Sequence, residues 1–259
     1  MSDVTSENPS PSVPRVPWQP WLALLSVVII YFGSQLIAGS LVSLYPLLKH
    51  WSHARALSWV NNSVGAQFIY ILVAESLVIA AVYLFLRFYK SHFADIGLKR
   101  PRWADPLYGL AALPFYFLLY LLGVTIVKYF VPGLNVNQAQ QLGFNNVSGS
   151  GPLVLTFISL VVLPPLAEEI MVRGFLYSSL KKAMPTLSAV LATSAIFAVA
   201  HLPEGGAAGP LYIAALDTFV LSLVLIYLRE KTGSLWASIT LHALKNGIAF
   251  VYLFALHAR

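Results

Sequence analysis

Residues 160–177 read LVVLPPLAEEIMVRGFLY, which places three charges in an otherwise apolar run. A charged side chain costs roughly 2.5–3.5 kcal/mol at the centre of a membrane helix, so such charges call for a partner or a function. Glu169 and Arg173 are four residues apart, so they share a helix face and are expected to pair. Glu168 is turned about 100° from Glu169 and has no such partner in its own helix. We therefore expect Glu169 to hold structure and Glu168 to exchange protons.

The rest of the chain is equally apolar. Of 259 residues, 58% are hydrophobic and 10% are charged, and the mean hydropathy is +0.74. A soluble domain needs more charge at its surface, so a lipid bilayer is the expected solvent. The net charge of +6 is attributed to loops that face anionic lipid, and no nucleic-acid partner is expected. The chain has no cysteine, which excludes disulfides, thiol nucleophiles and cysteine-based zinc sites.

The hydrophobic pattern predicts an all-α, polytopic transmembrane helical bundle of about seven spans. Each span approaches the roughly 20 apolar residues that cross a bilayer, although the fifth is short. A proline pair in the fourth is expected to kink it. An eighth span would alter only the C-terminal part. The predicted spans are Trp21–Leu44, Ala66–Phe88, Leu107–Phe130, Leu153–Leu180, Thr186–Leu202, Leu211–Leu228 and Leu235–Leu256.

Basic residues in the loops predict the orientation. With the N-terminus in the cytoplasm, ten Lys and Arg residues lie on the inner side and four on the outer side, which favours this topology. The inner residues are Arg15, Arg87, Lys90, Lys99, Arg100, Arg102, Lys181, Lys182, Arg229 and Lys231, and the outer ones are Lys49, Arg55, Lys128 and Arg259. We expect an integral protein of a prokaryotic plasma membrane, with the N-terminus cytoplasmic.

Two segments outside the spans have a distinct composition. Residues 1–17 are rich in Ser and Pro and are expected to form a disordered tail, and residues 18–259 a single membrane domain with a catalytic core at about 150–250. Residues 89–103 are basic and aromatic, and are expected to form an interfacial helix or loop on the cytoplasmic face.

Two further spans carry polar side chains at helical spacing. Phe197 and His201 are four residues apart, so the ring should pack beside the imidazole. His242 and Asn246 have the same spacing in the last span. Each pair alone is compatible with helix packing. Lys245 lies next to this pair, and is expected to reach the interface or a carboxylate such as Asp217.

Together these residues fit hydrolysis of an amide. A carboxylate or imidazole removes a proton from water, and donors stabilise the oxyanion, each by roughly 2.7–4 kcal/mol in a dry site. Alternatively, Glu168, His201 and His242 could hold a divalent metal such as zinc, which would polarise the water. The residue types favour neither mechanism over the other.

The pattern resembles a known family. The sequence Glu168-Glu169-Ile-Met-Val-Arg173 is similar to the EExxxR motif of the CPBP family of CAAX proteases and bacteriocin-processing enzymes. Phe197 with His201 matches its FxxxH motif, and His242 with Asn246 its HxxxN motif, in the family's order. The resemblance covers about residues 94–250. Val172 departs from it, since members often carry Phe there.

The resemblance implies a role for each residue. Glu168 would be the base for the attacking water, assisted by His201, and His242 and Asn246 would stabilise the oxyanion. Glu169 would pair with Arg173, and Phe197 would support His201. The family has been described both as metalloproteases and as metal-free glutamate proteases, so the cofactor stays open.

The function expected from sequence is therefore an intramembrane endopeptidase that acts on a peptide or membrane-protein substrate in the bilayer. The alternative is a non-hydrolytic scaffold, such as a bacteriocin self-immunity protein, because the family includes such members. A transporter is disfavoured, since no inverted repeat is visible.

Overall fold

The computed structural model describes residues 16–138, 143–144, 147–203, 206 and 209–256. Every regular element in these ranges is a helix, which confirms the predicted all-α bundle. The α-helices are α1 (Pro20–Leu48), α2 (His53–Asn62), α3 (Val64–Phe88), α4 (Ala104–Phe130), α5 (Ser150–Phe157), α6 (Leu163–Glu168), α7 (Tyr177–Ala183), α8 (Thr186–Ala200), α9 (Tyr212–Thr232) and α10 (Trp236–Phe250). The π-helices are π1 (Ile158–Val162), π2 (Glu169–Leu176) and π3 (Val251–Leu256).

Six helical stretches in the described ranges are long and apolar enough to cross a membrane. They are α1, α3, α4, residues 150–183, α9 and residues 236–254. The predicted fifth span is α8, which has only 15 residues. At 1.5 Å per residue it measures about 22 Å, which is shorter than the roughly 30 Å of a bilayer core. This helix alone is therefore too short to cross the bilayer core.

The predicted fourth span is a continuous helix that changes its winding twice. The π1 turn lies immediately before α6, which begins with Leu163 and the pair Pro164-Pro165. Proline has no N–H to donate and its ring crowds the preceding turn. In a π-turn the N–H donates five residues back, as Leu163 does to the Ile158 carbonyl, and the wider turn accommodates the prolines. The second widening, π2, begins at Glu169.

One end of the bundle gathers the basic loops. Lys182 Nζ donates to the Val16 carbonyl over 3.0 Å, and the Leu235 N–H donates to the Gly97 carbonyl over 2.9 Å. Arg102 Nη2 donates to the Thr232 carbonyl over 2.7 Å. The segment between α3 and α4 forms turns rather than a helix. We call this region the basic end.

The N-terminal segment is anchored earlier than its composition suggests. Val16 is buried, and Trp18 is only 1% exposed. The Trp18 ring stacks on Phe175 of π2 at 5.2 Å between ring centroids. Val16, inside the expected tail of residues 1–17, is thus already packed, and residues 1–15 of that tail lie outside the described residues.

The core lies along π2, α9 and the N-terminal part of α10. All eight residues of π2 are buried. By contrast, α1, α3 and α4 expose many large apolar side chains, as expected for a surface that faces lipid. Gly109 lets α4 approach α10 closely, because a Cβ at this position would lie 2.8 Å from the Ala237 carbonyl oxygen.

The orientation can be tested with single cysteines, because the chain contains none of its own. Gly133 follows α4 at the end remote from the basic loops, and a Cβ there would meet no atom within 4 Å. We expect a membrane-impermeant maleimide to label Gly133→Cys in intact cells. Arg100→Cys, at the exposed basic end, should react only after permeabilisation. The reverse labelling pattern would place the basic end outside the cell.

Candidate active site

A buried ion pair forms the centre of the site. Arg173 Nη1 donates to Glu169 Oε1 over 3.0 Å, and both side chains are fully buried. The pairing expected from their spacing is therefore confirmed. It lies within π2, where each turn is wider than in an α-helix, yet the two side chains still meet along one face.

Phe197 connects this pair to α8. The Arg173 guanidinium carbon lies 4.1 Å from the centre of the Phe197 ring. Arg173 Nε and Nη2 have no hydrogen-bond partner among the described residues, so the ring face supplies much of the contact to this cation. The ring thus ties α8 to π2.

The same ring sets the orientation of His201. The centroids of Phe197 and His201 are 4.6 Å apart, as expected from sequence. His201 Nδ1 lies 2.7 Å from the Phe197 carbonyl oxygen. A carbonyl only accepts, so Nδ1 carries the proton, and Nε2 is the ring nitrogen that can receive one. His201 follows directly on α8, so this nitrogen lies at the end of the short helix.

His242 is held by Glu169, a contact that the sequence did not reveal. His242 Nδ1 lies 2.9 Å from Glu169 Oε1, the oxygen that also accepts from Arg173. Since the ionised carboxylate accepts, Nδ1 donates. His242 Nε2 is then turned toward Glu168, 3.8 Å from its Oε2. This distance exceeds a hydrogen bond and is suited to a bridging water.

Asn246 has a structural contact that follows from the two prolines. Its Nδ2 donates to the Leu160 carbonyl over 3.0 Å. In an α-helix this carbonyl would accept from residue 164, and in a π-helix from residue 165, but both are prolines without an N–H. The side chain from α10 supplies the missing donor. One N–H of the amide is used here, and the amide has a second.

Four of the five predicted catalytic residues line one cavity of about 430 Å³, to which Phe197 also contributes: Glu168, His201, His242 and Asn246. Glu169 does not line it, because this residue is fully buried behind His242. Glu168 keeps 20% of its side chain exposed. The two adjacent carboxylates thus have separate environments, one enclosed and one open to the cavity.

Asp217 and Lys245 meet, as the sequence suggested. Lys245 Nζ lies 2.8 Å from Asp217 Oδ2, and the Tyr116 hydroxyl donates to Asp217 Oδ1. These contacts join α4, α9 and α10 beside the cavity. Asp217 therefore has a structural explanation, and its other contacts give no reason to add it to the catalytic group.

Sequence reasoning missed part of the cavity lining. Helices α1 and α3 contribute Tyr31, Gln35, Tyr70 and Glu75. Glu75 is a charged residue within a predicted span, so the argument that singled out Glu168 also applies to it. The other three are ordinary residues of apolar helices and carry no such signal.

The described residues contain no recognisable set of metal ligands. Within the described residues, no group of three or more His, Asp or Glu side chains is arranged to hold a metal ion. His242 Nδ1 is occupied by Glu169, and His201 Nδ1 by a carbonyl. Metal-ligating histidines commonly donate their other N–H to a carboxylate or a carbonyl, so these two contacts are compatible with either mechanism, but Glu168, His201 and His242 are not arranged as a ligand group here.

Comparisons with known proteins agree with the motifs. Residues 150–248 match the family of type II CAAX prenyl endopeptidases, Rce1-like. The chain is 26% identical over 229 residues to a Bacillus subtilis protein named "Putative membrane peptidase YdiL", covering 88% of this chain and 86% of that protein. No solved structure is significantly similar. The resemblance to the CPBP family is confirmed, and it supports a membrane protease.

The contact of Asn246 with Leu160 gives a stability prediction. Asn246→Ala should lower the free energy of unfolding by about 1–3 kcal/mol, because the Leu160 carbonyl loses its donor. Replacing Pro164 and Pro165 by Ala restores backbone N–H groups at the two positions that can serve this carbonyl. In that background Asn246→Ala should cost less, as measured by chemical unfolding of the purified protein and a double-mutant cycle. Equal losses in the two backgrounds would contradict this explanation.

Proposed function

We propose that this chain, a membrane protein similar to the CPBP proteases, is an intramembrane endopeptidase that hydrolyses a peptide bond with a water activated by Glu168 and His201. The observation that carries the proposal is the cavity between the helices, where a partly exposed carboxylate lies beside two oriented imidazoles. A purely structural ion pair would not need these additional groups. We expect the membrane to be the plasma membrane of a prokaryote.

Glu168 is the proposed base. It lines the cavity, whereas Glu169 is enclosed with Arg173 and His242. The attacking water donates one proton toward Glu168. His201 assists through Nε2, which accepts the second hydrogen bond of this water because Nδ1 is held by the Phe197 carbonyl. Two acceptors then fix the direction of the water lone pair.

His242 and Asn246 are the proposed donors to the oxyanion. Glu169 stabilises the protonated form of His242, as a carboxylate does for the histidine of a catalytic triad. In this form Nε2–H faces the cavity and can donate. Asn246 is anchored by one N–H on Leu160 and can offer the other. Preorganised donors of this kind stabilise the charge that develops on the carbonyl oxygen.

The reaction balances with these groups alone. The water oxygen forms a bond to the peptide carbon, its proton passes to Glu168, and the carbonyl electrons move to oxygen. When the tetrahedral intermediate collapses, the carbon–nitrogen bond breaks and the proton goes to the departing amine. The first products are a carboxylic acid, which keeps the second water proton, and an amine; proton transfer between them gives a carboxylate and an ammonium group, and Glu168 is restored as a carboxylate.

Replacing Glu168 and replacing Glu169 should have different effects, the first on cleavage and the second on stability. Glu168→Gln should lower cleavage by about 10²–10⁴-fold, the usual contribution of a general base, with a thermal midpoint close to wild type. Glu169→Gln should destabilise the fold by about 3–5 kcal/mol, because it leaves Arg173 without a charged partner. Purified protein in lipid nanodiscs, assayed with a quenched-fluorescence peptide library and by thermal unfolding, separates the two effects.

Glu230→Gln is the matched control. Glu230 pairs with Lys181 at the basic end, away from the cavity, so its loss should leave cleavage unchanged. A Glu168→Gln protein that fails to fold would show that Glu168 is structural. If a wild-type phenotype in cells persists when Glu168 and His201 are both replaced, the non-hydrolytic scaffold is the correct function.

A further inference from the structure

One wall of the cavity is not used by the proposed reaction. We call Tyr31, Gln35, Tyr70 and Glu75 the polar wall; the first two come from α1 and the others from α3. The Tyr70 hydroxyl lies 3.3 Å from Gln35 Oε1 and joins the two helices. The wall lies outside residues 150–248, the segment that matches the protease family.

Glu75 is the unusual member of this wall. It is the only acidic residue of α3, and no hydrogen bond or salt bridge connects it to another residue in the described part of the chain. A carboxylate at membrane depth is costly unless a positive group or water faces it. The neighbouring cavity is the place where such a group could enter.

The charged residues of the cavity point to the same kind of ligand. Its described lining contains the carboxylates of Glu75, Glu168 and Asp217 and the ammonium of Lys245. Lys245 is already 2.8 Å from Asp217. Acidic groups therefore exceed basic ones in this cavity, and a cation complements it better than an anion.

We infer that the polar wall binds the ammonium or guanidinium group of a Lys or Arg side chain in the peptide substrate, with Glu75 as its counter-ion. Tyr31 and Tyr70 provide aromatic rings beside this position, and a ring face attracts a cation. A cavity of about 430 Å³ takes a peptide segment of a few residues, so the basic residue lies near the bond that is cut. A carboxylate in its place meets repulsion from Glu75.

This inference rests on the proposed function, but a binding measurement tests it without cleavage. Full-length Glu168→Gln protein in nanodiscs is titrated with a fluorescent, N-acetylated and C-amidated Leu/Ala peptide that carries one central Lys. Matched peptides carry norleucine or Glu at that position. The blocked termini ensure that a free α-amino group does not supply the positive charge; a separate peptide with a free N-terminus and norleucine tests that source.

The Lys peptide should bind roughly tenfold more tightly than the norleucine peptide, and the Glu peptide should bind most weakly. Adding Glu75→Gln should remove the preference for Lys, and Glu75→Lys should shift it toward the Glu peptide. Glu75→Asp should retain part of it. Adding Glu230→Gln, a matched loss of an acid at the basic end, should leave the preference intact. Thermal unfolding of each variant verifies that the fold is kept.

Equal affinity for the Lys and norleucine peptides overturns the inference, as does a preference that survives Glu75→Gln, or the absence of binding by every peptide. A gain of affinity only for the free N-terminus reassigns the wall to an α-amino group and overturns the side-chain form. The proposed function is tested separately, by cleavage. If the protein cleaves peptides but shows no preference for Lys, this inference alone is rejected. A Lys preference in a wild-type protein that cleaves nothing rejects hydrolysis alone.

Discussion

The shared oxygen of Glu169 is the constraint on which the site depends. Glu169 Oε1 accepts from both Arg173 and His242, and Phe197 covers the guanidinium. This oxygen thus joins π2 to α10, and the Phe197 ring adds α8 through Arg173. A buried ion pair is weak evidence for stability, because its desolvation offsets much of its attraction. This pair is also incompletely satisfied within the described residues, since Glu169 Oε2 and two nitrogens of Arg173 lack hydrogen-bond partners. Its best explanation is orientation: it fixes the tautomer and direction of His242, which a hydrophobic core could not do.

The proline pair also positions a side chain of α10. Pro164 and Pro165 deprive the Leu160 carbonyl of any helical donor and lead the chain through π1 into α6. The exposed carbonyl then anchors Asn246 of α10. The carbonyl that lacks a helical partner in one helix thus fixes the position of the Asn246 side chain on another. Disruption of helical hydrogen bonding is tolerated in a membrane only where another protein group replaces the lost partner, as it does here. The Glu169 and Leu160 contacts attach α10 at two points, so the imidazole and the amide enter the cavity in a defined relation.

Much of this arrangement could be predicted from the sequence. There is a physical reason why the remaining contacts could not. The pairs Glu169–Arg173 and Phe197–His201 follow from four-residue spacing on a helix, which is local information. The contacts of His242 with Glu169 and of Asn246 with Leu160 span 73 and 86 residues of chain. Such contacts depend on how helices pack, and the amino-acid pattern of a single span does not encode them. The π-turns were also missed: the prolines predicted a kink, and the structure shows a widened turn directly before them. Glu75 is different, because it is also a charged residue within an apolar span, and this property drew attention to Glu168.

Helix length bears on the proposed hydrolysis. The 15 residues of α8 measure about 22 Å, which is less than the roughly 30 Å of a bilayer core, so this helix is too short to carry His201 across a full span. A full span would have carried this imidazole to the surface, away from Glu168 and His242. Polar side chains line the cavity at this end of α8. Water can occupy such a cavity because several polar groups are available to it, while the surrounding apolar faces keep the electrostatic interactions strong. The polar cavity and the apolar faces around it thus offer the two conditions that the proposed hydrolysis requires: room for water at the site, and a low dielectric around it.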